Sequence, residues 1–191
     1  PARNEEECIE SVLAELPRGR FRRTIVVDNG SVDRTAERAR AMGAEVTLLS
    51  TSLSKQADAK RLGAANFELS TDKATFRKLA RRFDLIIDTV SAEHDYNAYL
   101  NLLRPRGAMV VVGVPPKPSP VAAFSLIGGN RRLAGSSIGN MKQTQDVLDF
   151  CAQHQFGADV EVIKAGDINV AYERMVKNDV KYRFVIDAKT F

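Results

Sequence analysis

The chain is short of the residues from which metal and disulfide scaffolds are built. Two cysteines, Cys8 and Cys151, and two histidines, His94 and His154, among 191 residues are too few for a disulfide framework or a closed zinc site. No run of 18 apolar residues occurs, which excludes a membrane-spanning helix. No basic segment followed by an apolar one opens the chain, so it reads as cytoplasmic and without a secretory leader. An excess of charge is also missing. Lys and Arg total 28 against 24 Asp and Glu, a net +4, and the charge is spread out rather than gathered into a nucleic-acid footprint. Lysine is absent from the first 40 residues, which hold eight Arg, whereas residues 41–191 hold ten Arg and ten Lys. Eight Arg in succession has a chance of about 3%, and it points to different histories for the two segments.

What is present is apolar sequence, 44% of the chain, enough for the core of one ordinary domain. It is arranged as short β-rich runs alternating with amphipathic segments. Asn4 caps a helix that Pro17 and Gly19 stop, and Thr24–Val27 is a buried strand ending at Asp28-Asn29-Gly30. Ser31 caps a helix to about Met42, and Glu45–Leu49 is the next strand. Further strands are expected at Phe67–Leu69, Leu85–Ile87, Met109–Val112, Val160–Ile163 and Phe184–Ile186, with an edge strand at Arg132–Ile138. Helices are expected at Ser54–Leu62, Ala74–Arg82, Tyr96–Leu103, Val121–Ile127, Lys142–His154 and Ile168–Lys177, and the proline-rich stretch 115–120 is a rigid loop. Continuously apolar strands separated by helices of about 10 residues predict a doubly wound, mostly parallel α/β sheet of Rossmann-like type with helices on both faces.

Such sheets bind ligands beyond the carboxyl ends of their strands. The loop after the second strand reads Ser50-Thr51-Ser52-Leu53-Ser54-Lys55. An NAD-selective domain carries Asp or Glu there; hydroxyl donors, a helix N-terminus and a lysine suit a phosphate instead. The same residues would also serve as a turn that caps the next helix.

The segments MGAEVTLLSTSLSK, RRFDLIIDTVSAEHDYNAYLNLLRPRGAMVVVGVP, LAGSSIGNMKQTQDVLDFCAQH and INVAYERMVKNDVKYRFVIDA resemble the cofactor domain of zinc-type medium-chain alcohol dehydrogenases, of the cinnamyl alcohol dehydrogenase subfamily. The resemblance runs from about Ala39 to Ile186, roughly three quarters of the chain. It implies that Ser50, Thr51, Ser52 and Lys55 hold the 2′-phosphate of NADP, and that Thr89 and Val90 flank the adenosine and its ribose. It further implies that Val112, Gly113 and Val114 line the nicotinamide, that Ser136, Ser137 and Ile138 meet the carboxamide, and that a homodimer forms through Arg132–Ile138. Residues 43–140 would be the core of the cofactor domain. Residues 141–191 would be the extension that packs on the catalytic domain.

Two departures qualify these implications. The family's zinc ligands belong to a separate catalytic domain, of which no motif is found here, so the reading is of an enzyme part without zinc and without catalytic residues of its own. His94 and His154 are read as surface or helix-end residues. The family's glycine-rich turn is replaced by Asp28-Asn29-Gly30-Ser31-Val32-Asp33, in which Gly30 and Ser31 remain to approach a pyrophosphate. The two carboxylates oppose it, which predicts that NADP binding is weak or lost. PARNEEE and IVVDNGSVDRTAERARAMGAEV resemble the opening of a family 2 glycosyltransferase, over residues 1–47. That likeness makes the chain a chimera whose first 42 residues are a borrowed β-α segment of one Rossmann-like domain. Two further readings stay open. One is a ligand-free hybrid that self-associates to cover Leu148, Phe150, Ile163, Val176, Phe184 and Ile186. The other is a nucleotide-sugar binding module.

Overall fold

A computed structural model describes the strand Arg23–Val27 through its backbone, and residues 44–155, 157, 159–177, 179–180 and 183–191. The expected helices at Asn4–Leu16 and Ser31–Met42, and the turn holding Gly30 and Ser31, lie outside the described residues.

Six strands form one parallel sheet: β1 (Arg23–Val27), β2 (Glu45–Ser50), β3 (Asn66–Leu69), β4 (Phe83–Asp88), β5 (Leu103–Val111) and β6 (Arg132–Gly135), in the spatial order β3-β2-β1-β4-β5-β6. Every pairing is parallel, with Val26 opposite both Leu48 and Ile87. That order is the doubly wound arrangement, and its reversal point falls between β1 and β4. Parallel strands covered on both faces must be apolar throughout. Accordingly Val46, Leu48 and Leu49 of β2, Leu85, Ile86 and Ile87 of β4, and Met109 and Val110 of β5 are all buried.

The connecting helices are short: α1 (Gln56–Arg61), α2 (Lys73–Lys78), α3 (Tyr96–Leu100), α4 (Ala123–Ile127) and α5 (Met141–Gln153). Side-chain caps start three of them. Asp72 accepts from Ala74 N, Asp95 from Asn97 N, and Asn140 makes a capping box with Gln143, which satisfies backbone donors that have no partner within the helix. The largest core cluster gathers Leu79 behind α2, Phe83 and Ile86 of β4, Tyr96, Tyr99 and Leu100 of α3, and Met109 of β5.

Four sequence expectations are corrected. The helix expected to reach Leu103 ends at Leu100, and β5 starts at Leu103 rather than Met109. Pro105 lacks an amide hydrogen and cannot hold a regular ladder. The pairing therefore jumps from Phe83↔Leu103 to Leu85↔Ala108 around it. The helix expected over Ala74–Arg82 stops at Lys78, and Arg81 takes a left-handed φ of 56°. The edge strand expected over Arg132–Ile138 ends at Gly135, which leaves Ser136, Ser137 and Ile138 in the following loop.

Residues 1–154 and 155–191 are two compact units. The expected extension 141–191 thus divides between them, with α5 in the first. In the second unit, β7 (Glu161–Ile163) and β8 (Phe184–Ile186) pair in parallel with each other, and α6 (Ile168–Val176) lies between them in the chain. Arg174 of α6 bonds Glu161 at 2.9 Å and Asp179 at 3.0 Å and lies over the Phe184 ring.

Candidate functional site

The carboxyl ends of the strands all lie at one edge of the sheet, and four of them carry the residues singled out in the sequence. Ser50, the last residue of β2, is buried and its hydroxyl accepts the Ser52 amide at 3.5 Å. The Ser52 hydroxyl meets that of Ser54 at 2.8 Å and accepts the Ser54 amide at 3.3 Å, which caps the single 3-10 turn Leu53–Lys55. Thr51 is exposed and Lys55 half-buried. The loop is therefore both a capping turn and a cluster of hydroxyls followed by a cation. Ser50 is its structural anchor, and Thr51, Ser52 and Lys55 are its accessible part.

After β4, Thr89 and Val90 are buried. After β5, Val112 and Gly113 are buried and Val114 is exposed. These two turns are laced together. Val112 and Gly113 donate to the Asp88 carbonyl at 2.9 and 3.1 Å, and the Val114 amide donates to the Ser91 hydroxyl at 3.3 Å. Gly113 approaches so closely that a Cβ there would sit 2.5 Å from the Val90 oxygen. Only glycine leaves room for that contact. After β6, the Ser136 amide donates to the Val111 carbonyl at 3.1 Å, which joins this loop to the β5 turn. Ser137 and Ile138 are exposed. Thr89–Val90, Val112–Val114 and Ser136 thus form one contiguous rim. Ser50–Lys55 lies on the far side of β1, whose following turn is outside the described residues.

At the centre of this rim the structure places a pair that the sequence reading passed over. Asp88, the last residue of β4, is completely buried, and its Oδ1 accepts the Val90 amide at 3.1 Å. Its Oδ2 meets His94 Nε2 at 3.0 Å, with the His94 side chain 12% exposed. The expectation that His94 is a surface or helix-end residue is therefore corrected. Burial disfavours its charged form, but hydrogen bonds to Asp88 and the Ala92 carbonyl, with the charges of Asp88 and Asp95, outweigh this and raise its pKa. Burial likewise pushes the Tyr96 and Tyr99 hydroxyls up, assisted by the Asp88 charge and opposed by hydrogen bonds with Ser119 and Ser70 respectively. The available signal was the aspartate closing the apolar run Leu85-Ile86-Ile87. A carboxylate at the end of a buried strand requires a partner, and His94 is six residues on. His154 does end a helix, as expected: it is the C-cap of α5, with its ring 4.3 Å from that of Phe150.

The sequence profile of the family described as zinc-binding dehydrogenase matches residues 35–153, more than half of the chain. The chain belongs to the zinc-binding dehydrogenase family. It is 48% identical over 178 residues to NADP-dependent alcohol dehydrogenase C 1 of Mycolicibacterium smegmatis, an alignment covering 93% of this chain and 51% of the relative. Cinnamyl alcohol dehydrogenase 2 of Arabidopsis thaliana is 46% identical over 149 residues, 78% of this chain and 40% of the relative. Among solved structures, a cinnamyl alcohol dehydrogenase of Sorghum bicolor superposes with a TM-score of 0.83 at 40% identity, over 94% of this chain and 53% of that one. The cinnamyl alcohol dehydrogenase of Helicobacter pylori complexed with NADP(H) gives 0.77 at 32% identity, over 95% and 52%. The chain thus spans about half the length of the relatives it matches. The Mycolicibacterium alignment reaches well into the opening 47 residues, so dehydrogenase similarity is not confined to the part after Ala39. Among the described residues, no three His, Cys, Asp or Glu side chains gather as a group that could hold a metal ion. No helix among them is long and apolar enough to cross a membrane.

Proposed function

We propose that this chain is the NADP(H)-binding domain of an alcohol dehydrogenase and that the loop after β2 selects the phosphorylated cofactor. The observation that carries this reading is the loop Ser50-Thr51-Ser52-Leu53-Ser54-Lys55 at the carboxyl end of β2, with hydroxyls and a lysine and no carboxylate. A carboxylate there would accept ribose hydroxyls and repel a 2′-phosphate; Thr51, Ser52 and Lys55 attract one. The name of the Mycolicibacterium relative and the NADP(H) complex of the Helicobacter enzyme support the same choice. In this reading Thr89 and Val90 flank the adenosine ribose, Val112, Gly113 and Val114 line the nicotinamide, and Ser136, Ser137 and Ile138 meet its carboxamide. Gly30 and Ser31, which lie outside the described residues, are assigned to the pyrophosphate from the sequence resemblance alone. When bound, the reduced cofactor supplies a hydride for a carbonyl carbon. This chain contributes the binding and orientation of that cofactor, and we assign it no catalytic residue.

Asp28 and Asp33 flank the remaining glycine, so affinity falls below that of a full glycine-rich turn. Fluorescence titration with NADPH is expected to saturate below millimolar concentration, and no saturable binding in that range overturns the reading. Lys55→Glu reverses the charge at the 2′-phosphate and is expected to weaken NADPH about tenfold or more, and NADH far less. Equal losses for the two cofactors would remove Lys55 from the site. UDP competing better than 2′-AMP would favour the nucleotide-sugar reading of residues 1–47 instead.

We further propose that the protein forms a homodimer through β6. This strand is the end of the sheet order, and an unprotected edge invites pairing with a second strand. Phe124, Ile127, Ile138 and Met141, on the elements before and after it, are 70–87% exposed. Sedimentation equilibrium is expected to give a dimer at micromolar concentration, and a stable monomer there would refute this assembly.

A further inference from the structure

The cofactor reading leaves His94 unused, yet both of its ring nitrogens face oxygen acceptors. Nδ1 lies 2.9 Å from the Ala92 carbonyl oxygen and Nε2 lies 3.0 Å from Asp88 Oδ2. A carbonyl oxygen has no hydrogen to give, so Nδ1 must donate, and Nε2 must donate to the carboxylate in the same way. Only the doubly protonated imidazolium makes both bonds. With Asp88 ionised, a neutral ring would set one nitrogen lone pair against an oxygen lone pair, either at the exposed Ala92 carbonyl or at the part-buried Asp88 carboxylate.

The surroundings enclose this charge. Tyr96 lies 4.9 Å and Tyr99 5.4 Å from the ring, centroid to centroid, and Phe76 of α2 packs edge-on against Tyr99. The titratable groups facing His94 are Asp88 of β4, its neighbour Asp95, and Tyr96 and Tyr99 of α3. Glu93 bonds Lys117 instead, at 2.8 Å. Asp88 in turn is the hub of the rim. Its Oδ1 holds the Val90 amide, its carbonyl holds the Val112 and Gly113 amides, and its Oδ2 holds His94. Tyr99 extends the network to Ser70, whose amide donates to the Ser50 carbonyl at 2.9 Å.

We infer that His94 is a positioning residue whose imidazolium latches Asp88 and so fixes the Thr89–Val90 and Val112–Gly113 turns, making dinucleotide binding pH-dependent. The latch stands on these contacts alone; its consequence for the dinucleotide rests on the NADP(H) reading above. When the ring loses one proton to solvent it keeps at most one of its two hydrogen bonds, and the bond to Asp88 loses its charge assistance, so Asp88 is held less tightly. The turns loosen with it. Because the pKa of His94 is raised, this happens above the ordinary histidine value of about 6.5, and binding is tightest below it.

An NMR titration of the full chain without ligand tests the latch. Both ring nitrogens are expected to be protonated below about pH 6.5, with His94 titrating above that value and the Val90 and Gly113 amide resonances following the same curve. A titration at or below that value, or amides that do not follow it, overturns the latch. NADPH titrations across the same pH range test the consequence. The dissociation constant is expected to rise about tenfold through the His94 transition, the scale of losing a charge-assisted hydrogen bond. In His94→Gln the side-chain amide donates to Asp88 without titrating, so binding should stay within about threefold of the best wild-type value and that pH step should vanish. Any step owed to the cofactor's own phosphate remains in both proteins and is removed by the comparison. His94→Phe, which keeps the ring packing, should bind weakly at every pH. An unchanged pH profile in His94→Gln overturns the positioning role. Absence of NADPH binding at every pH, with the NMR result intact, overturns the NADP(H) reading and leaves the latch standing.

Discussion

Replacing Gly113 by alanine is expected to destabilise the protein by about 3 kcal/mol, enough to lower its Tm by roughly 6–12 °C, and to weaken NADPH binding with it. The added Cβ would lie 2.5 Å from the Val90 oxygen, 2.6 Å from the Val90 carbonyl carbon and 2.8 Å from the Thr89 carbonyl carbon. All three are backbone atoms, so no rotamer change relieves the clash. One turn must move away from the other. That movement would stretch the hydrogen bonds from Val112 and Gly113 to the Asp88 carbonyl and from Val114 to Ser91, and these bonds shape the rim proposed to hold the ribose and nicotinamide. Gly135→Ala is the control, because its Cβ would meet only the Val111 oxygen at an ordinary 3.7 Å. Its effect should stay within about 0.5 kcal/mol. Urea denaturation of the two variants compares them directly. Equal stabilities would mean that the β4 and β5 turns are not held as closely as the geometry indicates.

The parallel sheet was legible in the sequence because burial on both faces removes the polar alternation of a half-exposed strand. Leu85-Ile86-Ile87 and Met109-Val110-Val111-Val112 can be little else when helices of about 10 residues separate them. Strand limits were less legible where local chemistry competes with pairing. Pro105 and Gly107 disfavour a regular ladder, yet β5 begins at Leu103 and carries both of them through a shift in register. The loops after the strands were also legible as places for ligand chemistry, since the topology alone directs attention to them. What each hydroxyl does there was not. Ser50 has the same residue type as Ser52, but it turns inward to hold the loop while Ser52 caps the next turn.

His94 was hidden for a different reason. A count of two histidines draws attention only to the question of metal ligands, and the periodicity of strands and helices says nothing of a residue in the loop between them. Its partner is six positions back at a strand end, and only the fold shows that the chain returns to place the ring over Asp88. The electrostatic reason was present nonetheless: a carboxylate that finishes a buried strand at the reversal point of the sheet cannot stay unpaired. The front of the chain offers the converse case. Thr24–Val27 reads as an ordinary buried strand, and β1 takes the central place between β2 and β4. Any chain with an apolar run of that length satisfies this position, so the position does not reveal ancestry.

Asp88→Ala should have the largest effect on stability, and its size should depend on pH. The substitution leaves the Val90 amide without its acceptor and His94 without its counter-ion, and breaking a buried pair in this way costs about 3–5 kcal/mol. The wild-type contribution from His94 follows from its raised pKa. It is fully present below the unfolded-state value of about 6.5 and is lost as pH rises through the higher folded-state value. In the variant both Asp88 contributions are gone, leaving burial to oppose the Ala92 hydrogen bond and the Asp95 charge, so the His94 pKa falls and its pH-dependent contribution to stability shrinks. The gap between wild type and Asp88→Ala should therefore be widest near pH 6 and narrow toward pH 9, as measured by urea denaturation at both values. Asp88→Asn separates charge from hydrogen bonding. Its amide oxygen can still accept from Val90 and its amide nitrogen can donate to a neutral His94, so the loss should be about 1–2 kcal/mol toward pH 9 and larger near pH 6, where the wild-type His94 contribution is present. A gap for Asp88→Ala that stays constant from pH 6 to pH 9 would mean that the pair stabilises the rim as a neutral hydrogen bond, because a charged latch must weaken as His94 loses its proton.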